Sequence, residues 1–182
     1  MVAVRGSHLL NPQDFVIEQW CAGLKLAEQT EKSLIDAWYY ARDLMSTHPD
    51  EMKNATLMLQ SGVEMVEILH ELNMDAETLL TAMLFPIVAN KLTDWDSLKE
   101  KFGAKITKLL KGVLEMDNIR QLNASHSANA LQVDNVRRML LAMVDDFRCV
   151  IIKLAERITF LRDAEHRCAE EDKVLAAKEC SY

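Results

Sequence analysis

Apolar residues recur at intervals of three and four along most of this chain, and that period admits little besides packed helices. Val63, Val66 and Leu69, with Met65, Ile68 and Leu72 beside them, make one broad apolar face. Ile106, Leu109, Leu110, Val113 and Leu114 stripe a second helix. Phe147, Val150, Ile151, Leu154, Ile158 and Leu161 stripe a third, over about 146–163. Only five glycines and three prolines punctuate 182 residues, too few for the turns of a many-stranded sheet. The expected fold is all-α, a bundle of about eight or nine helices with no sheet. With 49% apolar residues, the chain can build one domain-sized core.

Helix boundary signals agree. Asn11-Pro12 sets a capping side chain before a proline whose missing N–H costs nothing at the first helical position. Asp75 precedes an apolar stretch starting near Ala76, and Thr93 or Asp94 can cap a short helix that stops at Gly103. Asn123 to Asn129 has no apolar period and reads as a loop; a helix bearing Val136, Met139, Leu140 and Met143 follows. Asp145-Asp146 marks a bend and caps the next helix. Lys173 to Cys180 reads as a helix still in progress, which suggests a piece of a longer protein.

A formal net charge of −7 argues against a dedicated nucleic-acid domain, so no DNA partner is expected. Cys21, Cys149, Cys168 and Cys180 show no Cys-x-x-Cys spacing and read as reduced thiols, without structural zinc. No apolar run reaches the length of a membrane span, and residues 1–10 lack the core of a signal peptide. A soluble, cytoplasmic protein is expected.

The polar candidates have ordinary readings. His70 sits beside an apolar stripe as a half-exposed edge residue; His48 and His126 read as loop residues, and His166 as a helix-end residue favoured by the helix dipole. Ser125-His126-Ser127 lacks a positioned acid and makes no triad. Glu64, Glu67 and Glu71 at helical spacing read as a solvated acidic face. Arg137, Arg138 and Arg148 are expected to pair with Asp134, Asp145 or Asp146. The ten methionines read as core filler, and no glycine-rich phosphate loop is present.

Two segments point further. Ala82-Met83-Leu84-Phe85-Pro86-Ile87 and Lys153-Leu154-Ala155-Glu156-Arg157, the latter preceded by the run from Val133 to Ile152, closely resemble the N-terminal region of the long RelA/SpoT proteins, which make and break (p)ppGpp. The likeness is best over about residues 60–90 and 133–180, and is nearest to the RelA branch. It implies an HD-type helical bundle. In active members of that family a histidine, a His-Asp pair and a later aspartate hold manganese, and a Glu-Asp pair helps activate water. Such chemistry needs several imidazole and carboxylate ligands converging on one ion.

Carried over residue by residue, the resemblance puts the first histidine at Ser61, the His-Asp pair at Phe85-Pro86 and the Glu-Asp pair at Ala89-Asn90. The later aspartate becomes Glu156 and a following asparagine becomes Phe160. No arginine lies between Asp50 and Leu59, where the family contacts guanine. One carboxylate, Glu156, is left, so the resemblance implies lost manganese binding, with Phe85 and Phe160 expected to fill the vacated cavity.

The resulting expectation is a non-catalytic pseudo-hydrolase domain over residues 1–170, with 171–182 starting the helix into a synthetase domain that is absent. The parent would be a GTP pyrophosphokinase, with magnesium expected only in its synthetase domain. Its partners would be that synthetase domain, within the same chain, and the ribosome. Two other readings stay open: a phosphohydrolase rebuilt around Glu156, Asp145, Asp146 and His70, and a free-standing helical interaction module.

Overall fold

The computed structural model describes residues 15–47, 52–125 and 146–179, with side chains described for 15–47, 55–116 and 146–163. The described residues form seven helices and no strand: α1 (Ile17–Leu24), α2 (Glu28–Ser46), α3 (Met52–Glu71), α4 (Ala76–Ala89), α5 (Trp95–Phe102), α6 (Ala104–Ser125) and α7 (Arg148–Glu179). The fold is all-α as expected, with fewer helices in these residues than the eight or nine anticipated. The Asn11-Pro12 start and the Val136–Met143 helix lie outside the described residues.

The core is organised around α4, every residue of which from Thr78 to Val88 is buried. A helix apolar on all sides has to be enclosed, and α2, α3, α6 and α7 pack around this one. Its two buried threonines satisfy their hydroxyls locally: Thr81 donates to the Glu77 carbonyl at 2.7 Å, and Thr78 to the Asp75 carboxylate. Asp75 caps the helix as expected, accepting the Thr78 backbone N–H. Before it, Asn73 adopts the left-handed conformation (φ 55°), and the Met74 N–H reaches back to the Leu69 carbonyl at 3.0 Å. That double turn reverses the chain and lays α4 along α3.

Asp94 caps α5 through the Asp96 and Ser97 N–H groups, and Gly103 ends it at φ 88°, where a side chain would be strained. Two boundaries differ from expectation. α6 continues through Ser125, so the loop begins no earlier than residue 126; the rest of that expected loop lies outside the described residues. α7 is a single helix from Arg148 to Glu179, merging the segments expected over 146–163 and 173–180.

The orientation of α7 is a larger correction. Phe147, Leu154, Ile158 and Leu161 are exposed, Leu154 by 55% and Leu161 by 60%. The face turned to the core carries Cys149, Ile152, Ala155 and Thr159. Small residues on this face allow close approach. Gly112 of α6 lies so near that a Cβ there would stand 2.7 Å from the Cys149 sulfur.

Candidate functional site

Helices α3 and α7 border a cavity of about 120 Å³. From α3 it is lined by Gln60, Ser61 and Glu64, and from α7 by Glu156, Thr159, Phe160 and Asp163. Three of the positions carried over from the resemblance, Ser61, Glu156 and Phe160, therefore meet at one place. Phe85 is 3% exposed and adjoins them through Lys153, whose ammonium lies 5.4 Å from the ring centroid. The same nitrogen is 2.8 Å from Glu156 Oε2, an ion pair within α7.

The remaining carried-over positions do not join this centre. Pro86 is buried within α4 and interrupts its N–H ladder, while its carbonyl accepts from the Asn90 backbone N–H (3.3 Å) and side-chain amide (2.7 Å). Ala89 and Asn90 are exposed at the C-terminal end of α4. The cavity-filling role expected for Phe160 is also overturned. That ring borders the cavity but is 49% exposed, with the Arg157 guanidinium 5.0 Å from its centroid, whereas Phe85 is packed in the core and does not line the cavity.

Sequence reasoning missed Gln60, Glu64 and Lys153. Glu64 is 7% exposed and accepts from Gln60 Nε2 at 3.0 Å, while half-buried Glu67 accepts from the Trp20 indole at 2.8 Å. The acidic stripe is thus not a solvated face; only Glu71 is exposed. Spacings of four (Gln60, Glu64) and three (Lys153, Glu156) were the available signals.

A second cleft, of about 500 Å³, lies between α4, α6 and α7 and is lined by Lys105, Lys108, Asp146, Arg148 and Cys149 among others. Arg148 is its hub, bonded to Asp146 (2.6 Å from Nη2), to Glu77 (3.1 Å) and to Asp75 (2.5 Å). The expected pairing with Asp146 is present; those with Asp75 and Glu77 were not anticipated. Hydrogen bonding to Arg148 holds the Asp146 carboxyl below the usual carboxylate range and raises the guanidinium's own pKa. Burial pushes the Cys149 thiol up, and Cys21 up to about 11, so both are poor nucleophiles.

Asp146 and Glu156 occupy different cavities, and α7 alone puts about 12 Å of helical rise between Arg148 and Glu156. Half-buried His70 lines neither cavity. The described members of the rebuilt-site alternative are therefore not brought together, and Asp145 lies outside the described residues.

The donor set does not fit the manganese ion that the resemblance implies. Ser61, Phe85 and Pro86 supply no imidazole or carboxylate, which leaves Glu156 already paired with an ammonium. Among the described residues no group of three or more His, Cys, Asp or Glu side chains is arranged to hold a metal ion.

An all-helical domain with these segments converging beside α4 is of the HD type, and the chain belongs to the HD domain family, which matches residues 37–182. Over its full length it is 97% identical to part of the GTP pyrophosphokinase of Haemophilus influenzae and 48% identical to part of that of Escherichia coli. It is also 29% identical, over 75% of its residues, to the bifunctional (p)ppGpp synthase/hydrolase SpoT of Escherichia coli. The chain spans 24% of the length of the two GTP pyrophosphokinases. No helix among the described residues is long and apolar enough to cross a membrane.

Proposed function

We propose that this chain is a pseudo-hydrolase: an HD domain that has lost (p)ppGpp hydrolysis and serves as a regulatory domain of a RelA-type (p)ppGpp synthetase. The observation that carries this reading is the placement of Phe85 and Pro86. The resemblance assigns them to the positions of the family's metal-binding His-Asp pair, and both are built into the buried central helix. A phenyl ring and a proline can neither ligate a metal nor move a proton. Glu64, Glu156 and Asp163 make the adjoining cavity acidic, which disfavours a pyrophosphate group unless a cation offsets them.

The parent's activity, in this reading, is transfer of pyrophosphate from ATP to GTP or GDP in a magnesium-dependent synthetase region outside residues 1–182. Ribosome association belongs to the parent and need not involve this domain. Control requires a surface whose contacts differ between active and inactive arrangements of the synthetase. The exposed apolar row of Phe147, just before α7, with Leu154, Ile158 and Leu161 on it supplies one, and this helix runs on past residue 170.

Deleting residues 1–170 from the parent tests the regulatory role. Altered (p)ppGpp synthesis, in rate or in its response to regulation, is expected; synthesis unchanged in both would refute it. In the undeleted parent, Leu154→Lys with Leu161→Lys should shift synthesis in the same direction as the deletion.

A further inference from the structure

The cleft between α4, α6 and α7 carries positive charge that the fold leaves uncommitted. Six lysines and three carboxylates lie between Lys91 and Lys111, in a chain whose formal net charge is −7. Three of those lysines, Lys105, Lys108 and Lys111, recur at every third position of α6 and line the cleft together. Two of the carboxylates beside them are already committed. Asp146 and Glu77 are bonded to Arg148, and Glu77 also pairs with Lys105 at 3.2 Å. That leaves two exposed ammoniums. Lys108 belongs to no ion pair among the described residues and acts on Asp146 only at longer range. Lys111 rests over the Trp95 ring, 5.0 Å from its centroid, and Glu115 at the end of the row offsets one charge. Behind the lysines the lining is apolar: Leu109 is 2% and Cys149 5% exposed, with Gly112 between them.

We propose that this cleft docks an acidic segment of a partner polypeptide, with carboxylates set against Lys108 and Lys111 and an aliphatic side chain on the floor of Leu109, Gly112 and Cys149. Its volume, about 500 Å³, holds a few residues of chain. A compact phosphate group is a poorer fit, because it takes donors that converge on one point, such as helix N-terminal amides or an arginine fork. At the start of α7 the Arg148 backbone N–H already donates to Asp146 Oδ1 at 3.1 Å, and the guanidinium is held by three carboxylates. The two remaining ammoniums do not converge; they are spread along α6 by about 4.5 Å of helical rise. Charges spread in this way match carboxylates carried on separate side chains of one segment. A carboxylate reaching Lys111 also supplies a full opposite charge, where the Trp95 face supplies only a partial one. Rim charges of this kind steer encounter and partner choice more than they add affinity, so the contact is weak and sensitive to salt. None of these residues lines the α3–α7 cavity, and the docking site stands whether or not hydrolysis has been lost.

The test is fluorescence anisotropy of a rhodamine-labelled peptide, Glu-Asp-Leu-Glu-Glu, titrated with the 182-residue chain at low and at high salt. Binding is expected at low salt and should weaken as salt rises. Lys108→Glu with Lys111→Glu should weaken it about tenfold or more. Lys99→Glu with Lys101→Glu changes the net charge equally at residues outside the cleft, and should weaken it by less than about threefold. Replacing the peptide's leucine by serine should also weaken binding, because the apolar floor loses its occupant. No binding to the wild-type chain would overturn the proposal. Equal losses in the two double variants would do the same, since they would mark a diffuse charge effect, and so would indifference to the loss of the leucine. Inorganic pyrophosphate that displaced the peptide at a lower concentration than unlabelled peptide does would overturn it in favour of a small phosphate-bearing ligand.

Discussion

Phe160 borders the cavity, whereas Phe85 lies in the core, and the two contribute differently. Phe85 is enclosed by the core, so Phe85→Ala removes buried area and leaves a void, at a cost of about 3–5 kcal/mol. Phe160 is half exposed, and Phe160→Ala should cost less than about 1 kcal/mol. Urea unfolding of the two variants checks this, and equal losses would contradict the placement of the rings. The positional correspondence can be tested by restoration. Ser61→His, Phe85→His, Pro86→Asp and Glu156→Asp together should recover manganese binding measurable by calorimetry. A folded quadruple variant that binds none would show that these positions do not form one centre.

At the scale of the helices, periodicity identified the elements but not always the face that packs. On α3 and α6 most of the stripe read from the sequence is buried (Val63, Met65, Val66, Leu69, Ile106, Leu109, Leu110 and Val113), although Leu72, just past the end of α3, is exposed. On α7 the rule fails. The helix carries a second, narrower face of Cys149, Ile152 and Ala155, and close contact with α6 selects the small residues over the large ones. The same limit hid half of the site. Ser61, Phe85 and Glu156 could be placed by resemblance, whereas the burial of Glu64 and Lys153 depends on how α3, α4 and α7 meet, which no local pattern encodes. The α6–α7 contact makes its own prediction. Gly112→Ala gains about 1 kcal/mol of helix propensity but drives a methyl into the Cys149 sulfur, for a net loss of about 1–2 kcal/mol. In a Cys149→Ala background the same substitution should become stabilising. A denaturation series on the four chains measures the change of sign, and a loss of the same size in both backgrounds would contradict the packing described.

Across the whole molecule, Arg148 ties the start of α7 to the start of α4 through Asp146, Asp75 and Glu77. Arg148→Met should cost about 1–2 kcal/mol at pH 7 once solvent screening of these partly exposed groups is allowed for. The sign of its pH dependence follows from Asp146, whose folded pKa lies below the ordinary value. A depressed carboxyl contributes stability above its unfolded pKa of about 3.9 and loses it as pH falls through the folded value. The gap between the wild type and Arg148→Met should accordingly be full at neutral pH and narrow below about pH 4. A gap that widened on acidification would contradict the assignment.

The central claim is that an HD fold has been kept while its hydrolytic centre has been replaced by a phenyl ring, a proline and an internal ion pair. It is tested most directly by incubating the purified chain with ppGpp and manganese and following the release of pyrophosphate and GDP, with an active bifunctional homologue run in parallel. No release from this chain, alongside turnover by the homologue, is the expected result. Clear turnover with stoichiometric metal would mean that a working centre exists after all, and that the reading of Phe85 and Pro86 is wrong.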